Sequence, residues 1–347
     1  MKHRAATLPE GAATWLAGLS PADASADSLP RDRESRWFQP SGGTIAGAGG
    51  ARRFGRSGEA GKIERVRRLA GSTSSELYAF EAVAFDGARR LFVLRWYPDG
   101  SVLDAELDLI ERESAALGAL AATSVRAPRL IAAGSRALLM THIHGGVRLA
   151  LPDPGALREA LADIHALDPS AMAKWRYAGY HEDVVRGHEG VASGRAVPEP
   201  ARPTWWRDAR AWERALHQTE TDRPTAPDVV IHRDLHPGNV LWNGRRISGI
   251  VDWVNACTGP AAIDFAHCRV NLAVLWGLEA ADAFSVIDPA WDIEAALGFL
   301  DWDPVGRDAW PGALPRSFVE GGGPDLAAEV IRERLETFVR EALARLA

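Results

Sequence analysis

Cysteine is scarce in this sequence of 347 residues, which holds only Cys257 and Cys268. Two thiols cannot build a disulfide framework, and their spacing matches no zinc pattern, so both read as structural free thiols. Nowhere do 18 uncharged apolar residues run together, so no membrane helix is expected. The first twenty residues carry Lys2, Arg4 and Glu10 around a short apolar stretch near Trp15. They lack the hydrophobic block and cleavage site of a secretory signal, and a cytoplasmic location is the expectation. A basic surplus is also missing. The net charge is −6, divided as 19 Lys+Arg against 16 Asp+Glu in residues 1–145 and 21 against 30 in residues 146–347. This balance offers no nucleic-acid surface, and it favours an anionic ligand in the first half and a cationic one in the second. No internal repeat is visible.

What is present is ordinary globular composition, 46% hydrophobic and 25% charged, in a chain long enough for two lobes. Residues 1–62 read as an N-terminal extension. A short helix is expected over 9–19, followed by Pro, Ser, Asp and Gly that carry too little apolar surface to offset ordering entropy, hence a partly flexible segment. From Ile63 the apolar alternation changes to that of strands, at 66–69, 77–85 and 91–97, with Asp86-Gly87 as a hairpin turn. A helix is expected over 103–121 from Leu107, Ile110, Ala115, Leu117 and Leu120, then short strands at 130–133 and 137–141. Beyond Gly145-Gly146 the pattern is helical, with candidates at 154–167, 204–216, 262–278, 291–300 and 324–346. The expectation is therefore α+β and bilobal. A small antiparallel β-rich N-lobe with one helix covers 63–141, and a larger, mainly helical C-lobe covers 142–347.

The most informative run is His232-Arg233-Asp234-Leu235-His236-Pro237-Gly238-Asn239. It sets an Asp and an Asn five apart on a loop braced by Pro-Gly. Phosphoryl transfer needs a carboxylate to orient the attacking hydroxyl and accept its proton, and oxygen ligands for the metal that neutralises the phosphates. Asp234 suits the first task and Asn239 the second. A further carboxylate is needed because Mg2+ takes one or two from protein. Asp252 ends the strand-like Ile247-Ser248-Gly249-Ile250-Val251, and a hairpin through Asn243-Gly244 returns it toward the loop.

With Ile250-Val251-Asp252-Trp253 and Gly259-Pro260-Ala261-Ala262-Ile263-Asp264-Phe265-Ala266 added, the pattern resembles the aminoglycoside phosphotransferase family, relatives of protein kinases. The resemblance implies a protein-kinase-like fold using ATP, with GTP left open, and Mg2+. It makes Asp234 the catalytic base, Asn239 and Asp252 the metal ligands, and Asp264 the brace of the catalytic loop. His232 reads as a second bracing residue. Arg95 stands where such folds present a lysine to the phosphates, and a guanidinium keeps that charge with bidentate reach. Glu113 is the candidate to hold it. The turn containing Ser72, Thr73 and Ser74 would cover the phosphates, although it has a single glycine, and Met140 and His142 take the position of the hinge that meets adenine.

Two other motifs fail. Gly61-Lys62 imitates a P-loop, but Arg56 occupies the first glycine's place and Ile63 that of the Ser/Thr that binds magnesium. His232 to His236 as a hydrolase metal cluster leaves the Pro-Gly-Asn continuation unexplained. Only eleven residues separate Asp252 from Asp264, which leaves no room for the activation segment of a protein kinase. The expected function is ATP-dependent transfer of phosphate to a small-molecule hydroxyl, by a monomer or homodimer. Inactivation of an aminoglycoside antibiotic stands beside phosphorylation of an amino alcohol, sugar or nucleoside-like metabolite. A nucleotide-binding pseudoenzyme is the rival of another class. Glu182, Asp183, Asp292, Glu294, Asp301 and Asp303 would suit a cationic acceptor. Trp205 and Trp206 are read first as helix-packing core and second as a sugar or aglycone pocket.

Overall fold

A computed structural model of the chain describes residues 6–19, 63–69, 75–83, 89–104, 106–149, 153–179, 205–221, 225–299, 319 and 322–346. They divide into two compact units, one drawn from residues 1–145 and 248–254, the other from 146–247 and 255–347. The expected hairpin turn at Asp86-Gly87 lies outside the described residues.

In the first unit the alternating segments form β1 (Ile63–Leu69), β2 (Glu76–Val83) and β3 (Arg89–Trp96), followed by β4 (Leu130–Ala133) and β5 (Ala137–Thr141). They make one antiparallel sheet in the order β1-β2-β3-β5-β4. Successive side chains of a strand point to opposite faces. Phe80, Phe92, Leu94 and Leu139 fall on the face that α1 (Glu10–Gly18) covers with Ala12 and Leu16. Arg95 falls on the other face. Helix α1 lies tight against this sheet: a Cβ on Gly134 would sit 2.3 Å from Nε1 of Trp15. Only glycine permits that approach.

The helix expected over 103–121 is two pieces, a 3-10 turn at Val102–Asp104 and α2 (Leu109–Leu120). Arg136 explains the break. Its guanidinium binds Asp104 Oδ1 at 2.8 Å and the carbonyls of Tyr97 and Pro98 at 2.8 and 2.6 Å. These bonds hold the chain before α2 off the helical path, and Leu107, counted toward the apolar face, is 82% exposed.

The second unit contains β6 (Gly146–Val147) paired with β8 (Val240–Asn243), and β7 (Asp228–Ile231) paired with β10 (Cys257–Pro260). A turn at Gly244, with φ of 62°, leads from β8 into β9 (Arg246–Ile250). Its helices are α3 (Pro154–His165), α4 (Ala209–Thr221), α5 (Ala261–Trp276), α6 (Leu278–Phe284), α7 (Pro289–Leu297) and α8 (Ala328–Leu346). Helix α4 starts five residues later than expected because Asp208 caps it, accepting from Ala211 N at 3.1 Å. Gly277, at φ of 96°, ends α5 and starts α6. No described helix is long and apolar enough to cross a membrane.

Arg269 of α5 is fully buried and ties four helices together. It binds Asp292 of α7 at 2.9 Å and the Ala281 carbonyl of α6 at 2.9 Å, and Arg345 of α8 reaches the same Asp292 at 2.7 Å. The Trp pair follows the packing interpretation: Trp206 stacks on Trp212 at 5.3 Å and Trp205 meets it edge-on at 5.6 Å.

Segment 248–254, which the sequence pattern assigns to the C-lobe, belongs to the first unit. Ile250 N donates to the Arg126 carbonyl at 2.7 Å, and Gly249 lies against Ile143 so closely that a Cβ would come within 2.4 Å. Asp252 is carried there with it. For α1, Leu16→Ala is expected to cost about 2–5 kcal/mol, as measured by the urea midpoint, because Leu16 is fully buried. Leu107→Ala should leave that midpoint unchanged.

Candidate active site

In the second unit β7 carries the buried Val230 and Ile231 into the loop 232–238, which closes in a 3-10 turn at Pro237–Asn239 before β8. Asp264, in the first turn of α5 and fully buried, holds this loop by its backbone. Its Oδ2 accepts from His232 N at 2.9 Å and its Oδ1 from Arg233 N at 2.7 Å. His165 Nε2 of α3 lies 2.9 Å from Oδ2. Those bonds stabilise a backbone that pays for its shape, since Arg233 has φ of 65°, a left-handed conformation that costs a non-glycine residue about 1–2 kcal/mol. Its guanidinium sits over the Tyr177 ring at 5.7 Å.

Asp234 follows directly. Its N–H donates to Nδ1 of the fully buried His232 at 3.3 Å. Asn239 Nδ2 donates to the Asp234 carbonyl at 2.9 Å and to Oδ2 at 3.2 Å. His267 Nε2 lies 3.0 Å from Oδ1, and His236 Nε2 lies 3.9 Å away. His236 Nδ1 accepts from Gly238 N at 3.0 Å, so its ring hydrogen is on Nε2, toward the carboxylate. Desolvation by itself would raise the Asp234 carboxyl. The hydrogen bond from His267, with the electrostatic pull of His236, His267 and His232, outweighs it and holds the group well below the usual carboxylate range. With 28% of its side chain exposed, Asp234 is an ionised, clamped and accessible carboxylate.

In the first unit Arg95 of β3 and Glu113 of α2 meet as a buried pair, with Arg95 Nη2 donating to Oε1 at 3.2 Å and Nε lying 3.0 Å from Oε2. The same Nη2 donates to Asp252 Oδ1 at 2.7 Å, and Nη1 donates to Ser75 Oγ at 3.1 Å. One guanidinium is therefore shared by two carboxylates. Burial drives the Glu113 carboxyl upward; Arg95 opposes this, the charge of Asp252 adds to it, and the group is pushed up to about 7. Asp252 itself has φ of 67°.

Met140 is buried in β5. His142 follows that strand: its N–H donates to the Leu91 carbonyl at 3.1 Å and its Nε2 lies 3.4 Å from Arg67 Nη2. Ser72, Thr73 and Ser74 lie outside the described residues. The structure thus brings together Asp234, Asn239, His232 and Asp264 in one unit, and Arg95, Glu113 and Asp252 in the other. The sequence reading missed His267 and His165. For His267 a signal existed, its i+3 spacing from Asp264 on one helix, which puts both on one face.

The donor chemistry fits magnesium. Asn239 spends its amide nitrogen on Asp234, which leaves its side-chain oxygen over, and in the first unit Asp252 carries a carboxylate; each by itself is a hard oxygen donor of the kind that ion prefers. Of the acidic side chains counted toward a cationic acceptor, Asp292 is fully buried against Arg269, and Glu294 is buried and accepts from the Tyr177 hydroxyl at 3.2 Å. Neither is exposed. Glu182, Asp183, Asp301 and Asp303 lie outside the described residues.

A family model described as "Phosphotransferase enzyme family" matches residues 65–304. Among curated proteins, a homoserine kinase of Afipia carboxidovorans is 29% identical over 183 residues, 49% of this chain and 53% of that protein. The matched region thus spans about half the length of that relative. Among solved structures, aminoglycoside phosphotransferase APH(4)-Ia has a TM-score of 0.52 at 15% identity, over 80% of this chain and 94% of that one. Choline kinase LicA from Streptococcus pneumoniae has a TM-score of 0.53 at 14% identity, over 81% and 94%. These likenesses establish the protein-kinase-like, α+β fold.

The raised Glu113 carboxyl has a consequence for stability. Between its ordinary value of 4.5 and about 7, the folded chain binds this proton more tightly than the unfolded chain does. Its ionisation therefore removes stability as pH rises through that window. The urea midpoint should fall between pH 5 and pH 8, and Glu113→Gln should flatten that slope whatever its absolute stability.

Proposed function

The chain belongs to the phosphotransferase enzyme family, and on that premise we propose that it transfers the γ-phosphate of ATP to a hydroxyl of a small metabolite. The observation that carries the reading is the state of Asp234, ionised, accessible and fixed at both carboxylate oxygens. In this role Asp234 orients the attacking hydroxyl and accepts its proton, help worth roughly 10²- to 10⁴-fold. Asn239 and Asp252 are the oxygen ligands for Mg2+, which neutralises phosphate charge when bound. Arg95, gripped by Glu113, holds Asp252. His232 and Asp264 keep the loop in shape. Ser72, Thr73 and Ser74 are assigned to the phosphates, and Met140 and His142 to the base of the nucleotide.

An amino-alcohol acceptor is the favoured class. Several curated relatives that match are named homoserine kinase. Burial of Asp292 and Glu294 also removes part of the acidic surface that would have recommended a polycationic antibiotic.

Steady-state transfer from Mg-ATP to homoserine, other amino alcohols, sugars and aminoglycosides tests both halves. Turnover of homoserine or another amino alcohol is expected, with kcat reduced about 10²- to 10⁴-fold in Asp234→Ala. Transfer confined to aminoglycosides would reverse the acceptor assignment. ATP binding without transfer to any hydroxyl would make the protein a nucleotide-binding pseudoenzyme.

A further inference from the structure

Asp234 must present one oxygen to a hydroxyl at a fixed angle, yet the terminal torsion of an aspartate is broad and soft. Asn239 restrains only Oδ2, at 3.2 Å. On the Oδ1 side, His236 stands 3.9 Å away, beyond hydrogen-bond distance. His267 Nε2, at 3.0 Å, is within it. A ring nitrogen at that distance from a carboxylate oxygen carries a hydrogen, since a lone pair there would face the carboxylate charge.

The position of His267 on its helix suits the task. It lies three residues after Asp264 on α5, so the two share a face. One helix face therefore binds the loop twice: Asp264 takes the backbone amides of His232 and Arg233, and His267 meets the side chain of Asp234. The imidazole is held from the side by Phe299, with ring centroids 5.9 Å apart, and faces His236 at 6.4 Å. Its side chain is 23% exposed, whereas the backbone-bracing His232 is fully buried. A core-filling histidine needs neither that exposure nor a carboxylate partner.

We propose that His267 is a positioning residue for phosphoryl transfer, fixing the Asp234 carboxylate so that its remaining lone pairs meet the acceptor hydroxyl. The proposal rests on the phosphotransferase reading given above. In the step it serves, the hydroxyl O–H bond breaks and its proton passes to Asp234 as the oxygen bonds to the γ-phosphorus. The bond from that phosphorus to the β–γ bridging oxygen breaks, and ADP leaves with the electron pair. Each carboxylate oxygen has two lone pairs, so the bonds to His267 and Asn239 leave room for the substrate proton.

Two measurements on the full chain test this. In the first, kcat and KM are determined with Mg-ATP and homoserine, or with whichever amino alcohol the wild type turns over best. The variants are His267→Ala, His267→Asn and His267→Gln. Glutamine can place an amide nitrogen where Nε2 stands, while the shorter asparagine reaches only the Nδ1 position. Misplacement by an ångström costs about 10²-fold, so kcat should fall about 10- to 100-fold in His267→Ala and His267→Asn. The KM for ATP should hardly move, the melting temperature should stay near that of wild type, and His267→Gln should recover most of the rate. A kcat for His267→Ala within about twofold of wild type overturns the proposal, as does an equal loss in all three variants that tracks their melting temperatures.

The second measurement needs no acceptor: the ring nitrogens of 15N-histidine-labelled protein are observed by NMR in wild type, His267→Gln and Asp234→Asn. An Nε2–H signal that is lost in His267→Gln and shifted in Asp234→Asn supports the pair. Absence of that signal in wild type overturns it. If the signal is present but the wild type phosphorylates nothing, the phosphotransferase reading itself fails, and the catalytic role of His267 fails with it.

Discussion

The Asp264 carboxylate is the interaction on which the loop from His232 to Asn239 depends. A buried charge is tolerated only when its hydrogen-bonding capacity is met, and Asp264 is met by two backbone amides and an imidazole within 2.7–2.9 Å. Each bond does something different. The one to His232 N fixes the end of β7, the one to Arg233 N holds a residue whose left-handed backbone would otherwise relax, and the one to His165 joins α3 to the same point. Location in the first turn of α5 adds the favourable end of a helix dipole. Asp234, the next residue along, inherits its place from these restraints, and His267 one turn further down α5 adds a restraint on its side chain.

The first unit solves a different electrostatic problem. Two carboxylates, the buried Glu113 and the partly exposed Asp252, share one guanidinium, so the trio keeps a negative charge when both are ionised. Arginine serves this arrangement better than lysine, because a planar fork can address Glu113, Asp252 and Ser75 at once while an ammonium is a single point. The cost is visible in the rise of the Glu113 carboxyl. A cation delivered to Asp252 would relieve it.

The parts legible in the sequence were those whose chemistry is local. The strands of residues 63–97 announced themselves by alternation, and Asp234, Asn239 and Asp264 by spacing within one loop-helix segment. What escaped was decided by long-range polar contacts. Arg136 holds the segment around Asp104 off the helix that its apolar residues suggest, and Asp208 delays the start of α4. Charge counting failed at Asp292 and Glu294 because it cannot see burial. The partner of Arg95 that mattered as much as Glu113 was Asp252, 157 residues away in the chain. His267 stood three residues from Asp264 on one helix, yet a lone histidine in an apolar helix looks like core until its carboxylate partner is known.

Asp264 holds the backbone of the loop that carries Asp234, and amide hydrogen exchange at His232 and Arg233 tests this most directly. In wild type both amides should be strongly protected. In Asp264→Ala they should exchange rapidly while the amides of the buried β7 residues Val230 and Ile231 remain slow. Unchanged protection at His232 and Arg233 in that variant would contradict the account.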